Sequence, residues 1–187
     1  MNNLPVGILL AAGQSRRFGS NKLLHPVIDN SPLLMMTAKT LTSVLPDTIA
    51  VINQDLAEHS TQLERLGMRV VINGQAEQGI GSSIACGVKA SQDATGWLIA
   101  LADMPYIQSA TVAQLANRLT DGAAIIAPLF EQQRGHPVGF DRVYKDELLA
   151  LNEDVGARDV IARHRSHLEL LPTDDAGVIT DIDYKIE

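Results

Sequence analysis

An α/β fold, with an open, mostly parallel sheet covered by helices on both faces, is what this sequence predicts, and three observations predict it. Short runs that are apolar throughout, or apolar after a β-branched Thr48, recur at 6–10, 48–52, 97–102 and 123–127. A strand that is apolar at every position is buried on both faces, as strands of parallel sheets are. Between these runs lie stretches with apolar residues at helical spacing, so strand and helix alternate. Glycine, serine and charged residues collect after the strands, and open α/β sheets bind ligands beyond the carboxyl ends of their strands.

Residues 6–10 are the first strand, and a Gly/Ser/Arg loop follows from 12 to about 21. A helix over 32–44 starts at Pro32, a residue suited to the first helical turn because its missing N–H has no partner there to lose. The β-branched stretch 48–52 is a second strand, 56–66 a helix stopped by Gly67, and 68–72 a third strand. A helix over 80–90 is opened by Gly81-Ser82-Ser83, and the fourth strand, 97–102, runs into Asp103-Met104-Pro105. A helix over 111–119 stops near Gly122, and 123–127 is the fifth strand. Beyond Gln133 the rhythm changes. Gly135-His136-Pro137-Val138-Gly139-Phe140 reads as a loop entering a strand, 144–151 and 157–164 as helices, 167–171 as a strand and the tail 178–182 as another. With no internal repeat, low-complexity run or evident linker, 1–187 is expected to be one domain.

Composition bounds the function. Fifteen basic against 22 acidic residues leave a net charge of −7, which argues against nucleic acid as a partner. No apolar run approaches the roughly 18 residues of a membrane span, so no membrane partner is expected. The apolar start ends in small residues but has no Lys or Arg before it, unlike a signal peptide. Cys86 is the only cysteine, which excludes an internal disulfide and a Cys-rich zinc site and fits a reducing, cytoplasmic setting.

Six places along the chain carry the candidate chemistry. In Leu10-Ala11-Ala12-Gly13-Gln14-Ser15-Arg16-Arg17-Phe18-Gly19-Ser20-Asn21-Lys22, glycines let the backbone approach a ligand, and Arg16, Arg17 and Lys22 concentrate positive charge on an acidic chain. Such a loop cradles phosphate oxygens; the competing reading is a solvated turn with surface arginines. It is not a Walker A loop, because Lys22 is followed by Leu23, nor a Gly-x-Gly-x-x-Gly dinucleotide fingerprint. Gly79-Ile80-Gly81-Ser82-Ser83 either binds an anion at a helix start or caps the helix. Asp103 closes a buried strand, where packing alone does not call for a carboxylate, though a helix N-cap would. Asp181 and Asp183 share a face if the tail is extended; a solvated acidic tail is the alternative. His136 is a substrate contact, a proton carrier or a structural histidine, and Arg158 an anion contact or a plain helix-start residue. His25, His59, His164 and His167 lack metal-like spacing and read as surface or packing residues, and Cys86 as a small packed residue rather than a nucleophile.

Leu10, Ala11, Ala12, Gly13, Ser15, Arg17, Gly19 and Lys22 stand in the pattern Leu-Ala-(Ala/Gly)-Gly-x-(S/x)-x-Arg-Met-Gly-x-x-Lys, with Phe18 in place of Met. Further matches follow in order: Gly79 to Ser83, Asp103-Met104-Pro105, Arg134-Gly135-His136-Pro137-Val138, Gly156-Ala157-Arg158 and Asp181-Ile182-Asp183. Across nearly the whole chain the sequence resembles the MobA-like NTP transferase family, and within it the molybdenum cofactor cytidylyltransferases, the MocA branch. Ala11-Ala12 and Gly135-His136-Pro137 carry the cytidylyl resemblance; the guanylyl branch tends to Gly-Gly. Tyr184-Lys185 departs from the Thr-Pro usual after the tail aspartates.

The resemblance implies a Rossmann-like open sheet of the nucleotide-diphospho-sugar transferase type. It implies transfer of CMP from CTP to the terminal phosphate of a molybdopterin-type molybdenum cofactor, with release of pyrophosphate. Lys22, Arg17 and Asp103 would be catalytic. Leu10, Ala11, Ala12, Gly13, Arg17, Lys22, Gly81, Ser82 and Ser83 would bind nucleotide, Asp103 and Asp181 would hold Mg²⁺, and His136 and Arg158 would meet the acceptor. A recipient molybdoenzyme or its chaperone is the implied protein partner. Two alternatives stay open: nucleotidyl transfer from another NTP to another phosphorylated acceptor such as a sugar phosphate, and a non-catalytic protein that binds and delivers the cofactor.

Overall fold

The computed structural model describes residues 4–13, 22–28, 30–152 and 155–182. β1 (Val6–Ala11) is buried at every position. A small antiparallel pair, β2 (Pro26–Ile28) and β3 (Ser31–Pro32), leads into α1 (Leu33–Thr42). β4 (Thr48–Ile52), a 3₁₀ turn at Gln54–His59, α2 (Ser60–Arg65) and β5 (Arg69–Ile72) come next, then α3 (Ile80–Lys89) and β6 (Gly96–Leu101). The second half holds α4 (Ser109–Thr120), β7 (Ile125–Phe130), β8 (Gln133–Arg134), β9 (Val138–Asp141), α5 (Lys145–Leu149), α6 (Arg158–Arg163) and β10 (Leu168–Pro172), and ends in a 3₁₀ turn, Ala176–Ile179.

Eight strands form one sheet in the order β10-β7-β9-β6-β1-β4-β5, with β8 paired to β7. β1 lies parallel to β4 and β6, β4 to β5, and β7 to β10. β9 is antiparallel to both its neighbours. Its direction follows from a tight reversal after β7: Glu131 and Gln132 take φ of 44° and 71°, and Leu129 and Phe130 pair with Arg134 and Gln133 across them. Two successive positive φ values give a turn whose twist matches the strands it joins. The chain then continues into β9, which fills the gap between β6 and β7. The sheet is thus open and mostly parallel, a Rossmann-like α/β arrangement.

The core lies on both faces of the sheet, and the period-two geometry of strands divides it. Leu9, Ala11, Ala50, Ile52, Leu98 and Ala100 face Leu34, Ala38 and Leu41 of α1 and Val112, Leu115 and Leu119 of α4. Ile8, Leu10, Ile49, Val51, Trp97 and Ile99 face Ile84 and Val88 of α3, Leu148 of α5 and Val160 of α6. α3 lies close on its face because Gly87 has no side chain; a Cβ there would come within 2.8 Å of Ile8 Cγ2 and 3.2 Å of Val51 Cγ2. Trp97 Nε1 donates to Ser91 Oγ at 2.9 Å, so the indole is buried with its N–H satisfied. Among the described residues no helix is long and apolar enough to cross a membrane.

Several expected elements differ. The helix expected over 56–66 is split into the 3₁₀ turn Gln54–His59 and α2, because Asn53 caps the turn by accepting from Leu56 N at 3.2 Å. The helix expected over 144–151 is likewise preceded by a short 3₁₀ turn, Arg142–Tyr144, capped by Asp141. The tail expected as a strand over 178–182 has no ladder partner among the described residues. It leaves the turn Ala176–Ile179 and is tied to other segments through Val178 O, which accepts from His136 N at 2.8 Å, and Ile182 N, which donates to Asp103 O at 2.9 Å. A side chain rather than a sheet organises it: Asp175 accepts from Gly177 N at 2.9 Å and sets the turn.

Candidate functional site

The strand order changes direction beside β1. From β1 the chain moves outward to β4 and β5, then returns through β6 on the other side. A crevice opens at the carboxyl ends of the strands flanking such a switch point. Gly13 follows β1 there, and Asp103 follows β6 two residues after Leu101. Ala102 N donates to Leu10 O at 3.1 Å, which keeps the two exits side by side.

Leu10, Ala11 and Ala12 are buried, with Ala12 at 1% exposure. Their side chains belong to the core, so what they can offer a ligand is backbone. Gly13 is exposed, and apart from Gly13 itself and its chain neighbours no atom of the described residues lies within 4 Å of where its Cβ would stand. Residues 14–21, which include Arg16, Arg17 and Gly19, lie outside the described residues. Lys22 opens the 3₁₀ turn Lys22–Leu24, which is anchored by buried Leu23. Its Nζ lies 2.8 Å from Asp103 Oδ2, and both side chains are mostly shielded, at 18% and 22% exposure. Two groups 81 residues apart in sequence are therefore one charged pair.

A polar wall stands on the other side of β1. Asn53 and Asn73 each follow the last residue of a strand, after the paired Ile52 and Ile72. Asn53 Nδ2 points to Ala12 O at 3.4 Å. Asn73 Nδ2 donates to Ser82 Oγ at 3.0 Å and Ser83 Oγ at 3.1 Å, while its Oδ1 accepts from Gln75 N at 2.9 Å. Ser82 Oγ is also in donor range of Gln75 O and Gly79 O. Neither serine caps α3; its N-cap is Gly79, which makes no side-chain bond. Both hydroxyls instead tie the first turn of α3 to the loop after β5, and Gly81 is buried between. Asn73 was not singled out from the sequence; the available signal was a polar residue closing an apolar strand, the same signal that singled out Asp103.

The tail arrives opposite. The bond from Ile182 N to Asp103 O sets Asp181, which is exposed, at the neighbouring chain position. Asp183 lies outside the described residues. Among the described residues no group of three or more His, Cys, Asp and Glu side chains is placed to hold a metal.

His136 lies beside this crevice. Its N–H donates to Val178 O at 2.8 Å, and Gly135 packs so closely on Val178 that a Cβ would strike its carbonyl. Burial first, and then the Arg134 guanidinium, push the His136 pKa down to about 4, against an opposing pull from Asp103. The ring is neutral near pH 7, and its Nδ1 is buried with no hydrogen-bond partner among the described residues. Arg158 is the exposed first residue of α6. Just before it, Gly156 (φ 58°) packs on Ile80, where a Cβ would stand 2.9 Å from Cγ2, so α6 starts beside the start of α3. His164 and His167 stack with each other and bond to Glu147 and Tyr144 at 2.7 Å, a packing cluster. Burial raises the Cys86 thiol pKa, which disfavours a nucleophilic thiolate.

Known proteins are similar to this chain. Purine catabolism protein PucB of Bacillus subtilis is 28% identical over 192 residues, 95% of this chain and 91% of PucB. A probable molybdenum cofactor guanylyltransferase of Chloroflexus aggregans is 34% identical over 121 residues, 64% of this chain and 56% of that one. The crystal structure of an Rv0371c homologue from Mycobacterium sp. strain JC1 superimposes with a TM-score of 0.85 at 28% identity, covering 98% of this chain and 92% of the other. Residues 7–168 match the family described as MobA-like NTP transferase domain, and with a cation-bearing first loop facing an aspartate at the switch point, the chain belongs to that family.

Proposed function

We propose that this member of the nucleotidyltransferase family transfers CMP from CTP to the terminal phosphate of a molybdopterin-type molybdenum cofactor. The observation that carries the reading is the 2.8 Å pair between Lys22 of the first loop and Asp103 at the end of β6. An acceptor phosphate oxygen attacks the α-phosphorus of CTP, the bond to the β-phosphate oxygen breaks, and pyrophosphate leaves. The attacking phosphate is already ionised, so no general base is required, in keeping with a neutral His136. Positioning and charge neutralisation then account for most of the rate.

In this reading Lys22 and Arg17 hold the leaving pyrophosphate, and backbone N–H groups at Leu10, Ala11, Ala12 and Gly13 border the phosphates. Gly81, Ser82 and Ser83, braced by Asn73, form the wall at the nucleotide; His136 and Arg158 border the acceptor. Asp103 and Asp181 suit Mg²⁺, which takes one or two carboxylates together with phosphate oxygens and water. Held there, Mg²⁺ would supply charge neutralisation at the attacked phosphate, and Lys22 would turn from Asp103 to a phosphate oxygen. Residues 1–187 act as one domain in the cytoplasm, handing product to a recipient molybdoenzyme or its chaperone.

The relative named as a molybdenum cofactor guanylyltransferase makes GTP the competing donor. Purified protein incubated with Mg²⁺, the molybdenum cofactor and each of the four NTPs separates the donors. Pyrophosphate release with CTP is expected. Release with GTP alone would replace the cytidylyl assignment by the guanylyl one, and release with neither would remove the reading. Chelation with EDTA should abolish release, and Mg²⁺ or Mn²⁺ should restore it.

A further inference from the structure

Asp175 is 3% exposed, yet it lies in the polar stretch Thr173-Asp174-Asp175 and has no part in the chemistry above. Its two carboxylate oxygens join segments that are otherwise far apart in sequence. Oδ2 accepts from Gln108 N at 2.9 Å and from Thr111 Oγ1 at 2.7 Å, both at the start of α4. Oδ1 accepts from Gly177 N at 2.9 Å, in the turn that carries the tail. One side chain thus clamps the tail to the segment that follows Asp103.

The surrounding contacts leave that clamp little slack. Gly177 lies so close to Tyr106 O and Ile107 N that any Cβ would collide with backbone. Val178 O accepts from His136 N at 2.8 Å, and four residues later Ile182 N reaches Asp103 O at 2.9 Å. The position of Asp181 relative to Asp103 is therefore set by a turn that Asp175 holds. Resting on the metal site proposed above, we infer that Asp175 is a positioning residue, docking the tail on the Asp103 loop so that Asp181 and Asp103 meet one divalent cation. Partners that orient metal ligands without touching the metal commonly account for about 10–100-fold in metal affinity.

Two readouts on the full chain test this. Residue-resolved amide exchange follows docking directly, and Mn²⁺ titration by electron paramagnetic resonance at saturating CTP follows its consequence. Asp175→Asn keeps the shape but presents an amide to backbone donors. It should speed exchange at Ile182 about tenfold or more, leave the amides of β1, β4 and β6 protected, and weaken Mn²⁺ binding about tenfold. Thr111→Val, which removes one donor and keeps the carboxylate, should act in the same direction and more weakly, and it carries the test if Asp175→Asn fails to fold. In an Asp181→Ala background, Asp175→Asn should weaken Mn²⁺ no further. Unchanged exchange at Ile182 would overturn the inference, as would equal loss of protection throughout the sheet. Faster exchange at Ile182 with Mn²⁺ affinity unchanged in both Asp175→Asn and Asp181→Ala would uphold the docking role and remove Asp181 as a metal ligand.

Discussion

His136 illustrates how a side chain's surroundings decide its chemistry. Burial holds its pKa at about 4 in the folded chain, below the ordinary value of 6.5. Between those values the unfolded chain binds a proton that the folded one refuses, so stability falls as pH drops from about 6.5 toward 4 and is level above that window. The contribution is at most about 3 kcal/mol. Urea unfolding of metal-free protein at pH 7.5 and pH 5 should show that loss, and His136→Gln should lessen it. At the same scale, Lys22 and Asp103 were legible because a clustered cation and a strand-end carboxylate are unusual for an acidic chain to place there. Asp175 was not. Asp174, next to it, is exposed, and nothing local distinguishes the two; only donors from Gln108 and Thr111, more than sixty residues earlier, make one of them buried. Ser82 and Ser83 were legible as residues and misread in one alternative, since their hydroxyls serve Asn73 and the loop rather than a helix cap.

Elements declare themselves when their burial is local to the sequence. β1, β4 and β6 are continuous apolar runs because helices cover both faces, and that pattern needs no knowledge of partners. The tail fails the same test: Val178 is fully buried, which suggests a strand, yet it is buried by a turn packed on the loops around Gly135 and Tyr106. The two-residue turn at Glu131 and Gln132, which reverses the chain ahead of β9, was equally hidden, because neither residue is one that positive φ favours. Helix-to-sheet distance is legible only in retrospect, through Gly87. Gly87→Ala would press a methyl against Ile8 and Val51. It should destabilise the fold by about 1–3 kcal/mol, as overpacking of a filled core does. A lower urea midpoint at unchanged slope checks this, and an unchanged midpoint would mean that α3 can lift off the sheet freely.

At the scale of the molecule, the order β10-β7-β9-β6-β1-β4-β5 does for function what no single motif does. It turns the chain back at β1, so that loops from the start, the middle and the end of the sequence share one crevice. The cation of the first loop meets the carboxylate after β6, and the tail closes in from the other half of the sheet. The family pattern was legible because its motifs follow one another in order along the sequence. Asp103, paired with Lys22 in the free protein, is proposed to serve the transferred nucleotide when substrates bind. The most direct measurement is the rate of pyrophosphate release at saturating CTP, Mg²⁺ and molybdenum cofactor for Asp103→Ala beside the unaltered chain. A fall of about 10²–10³-fold with the fold intact is expected from losing one charge contact of this kind, and an unchanged rate would exclude that role for Asp103.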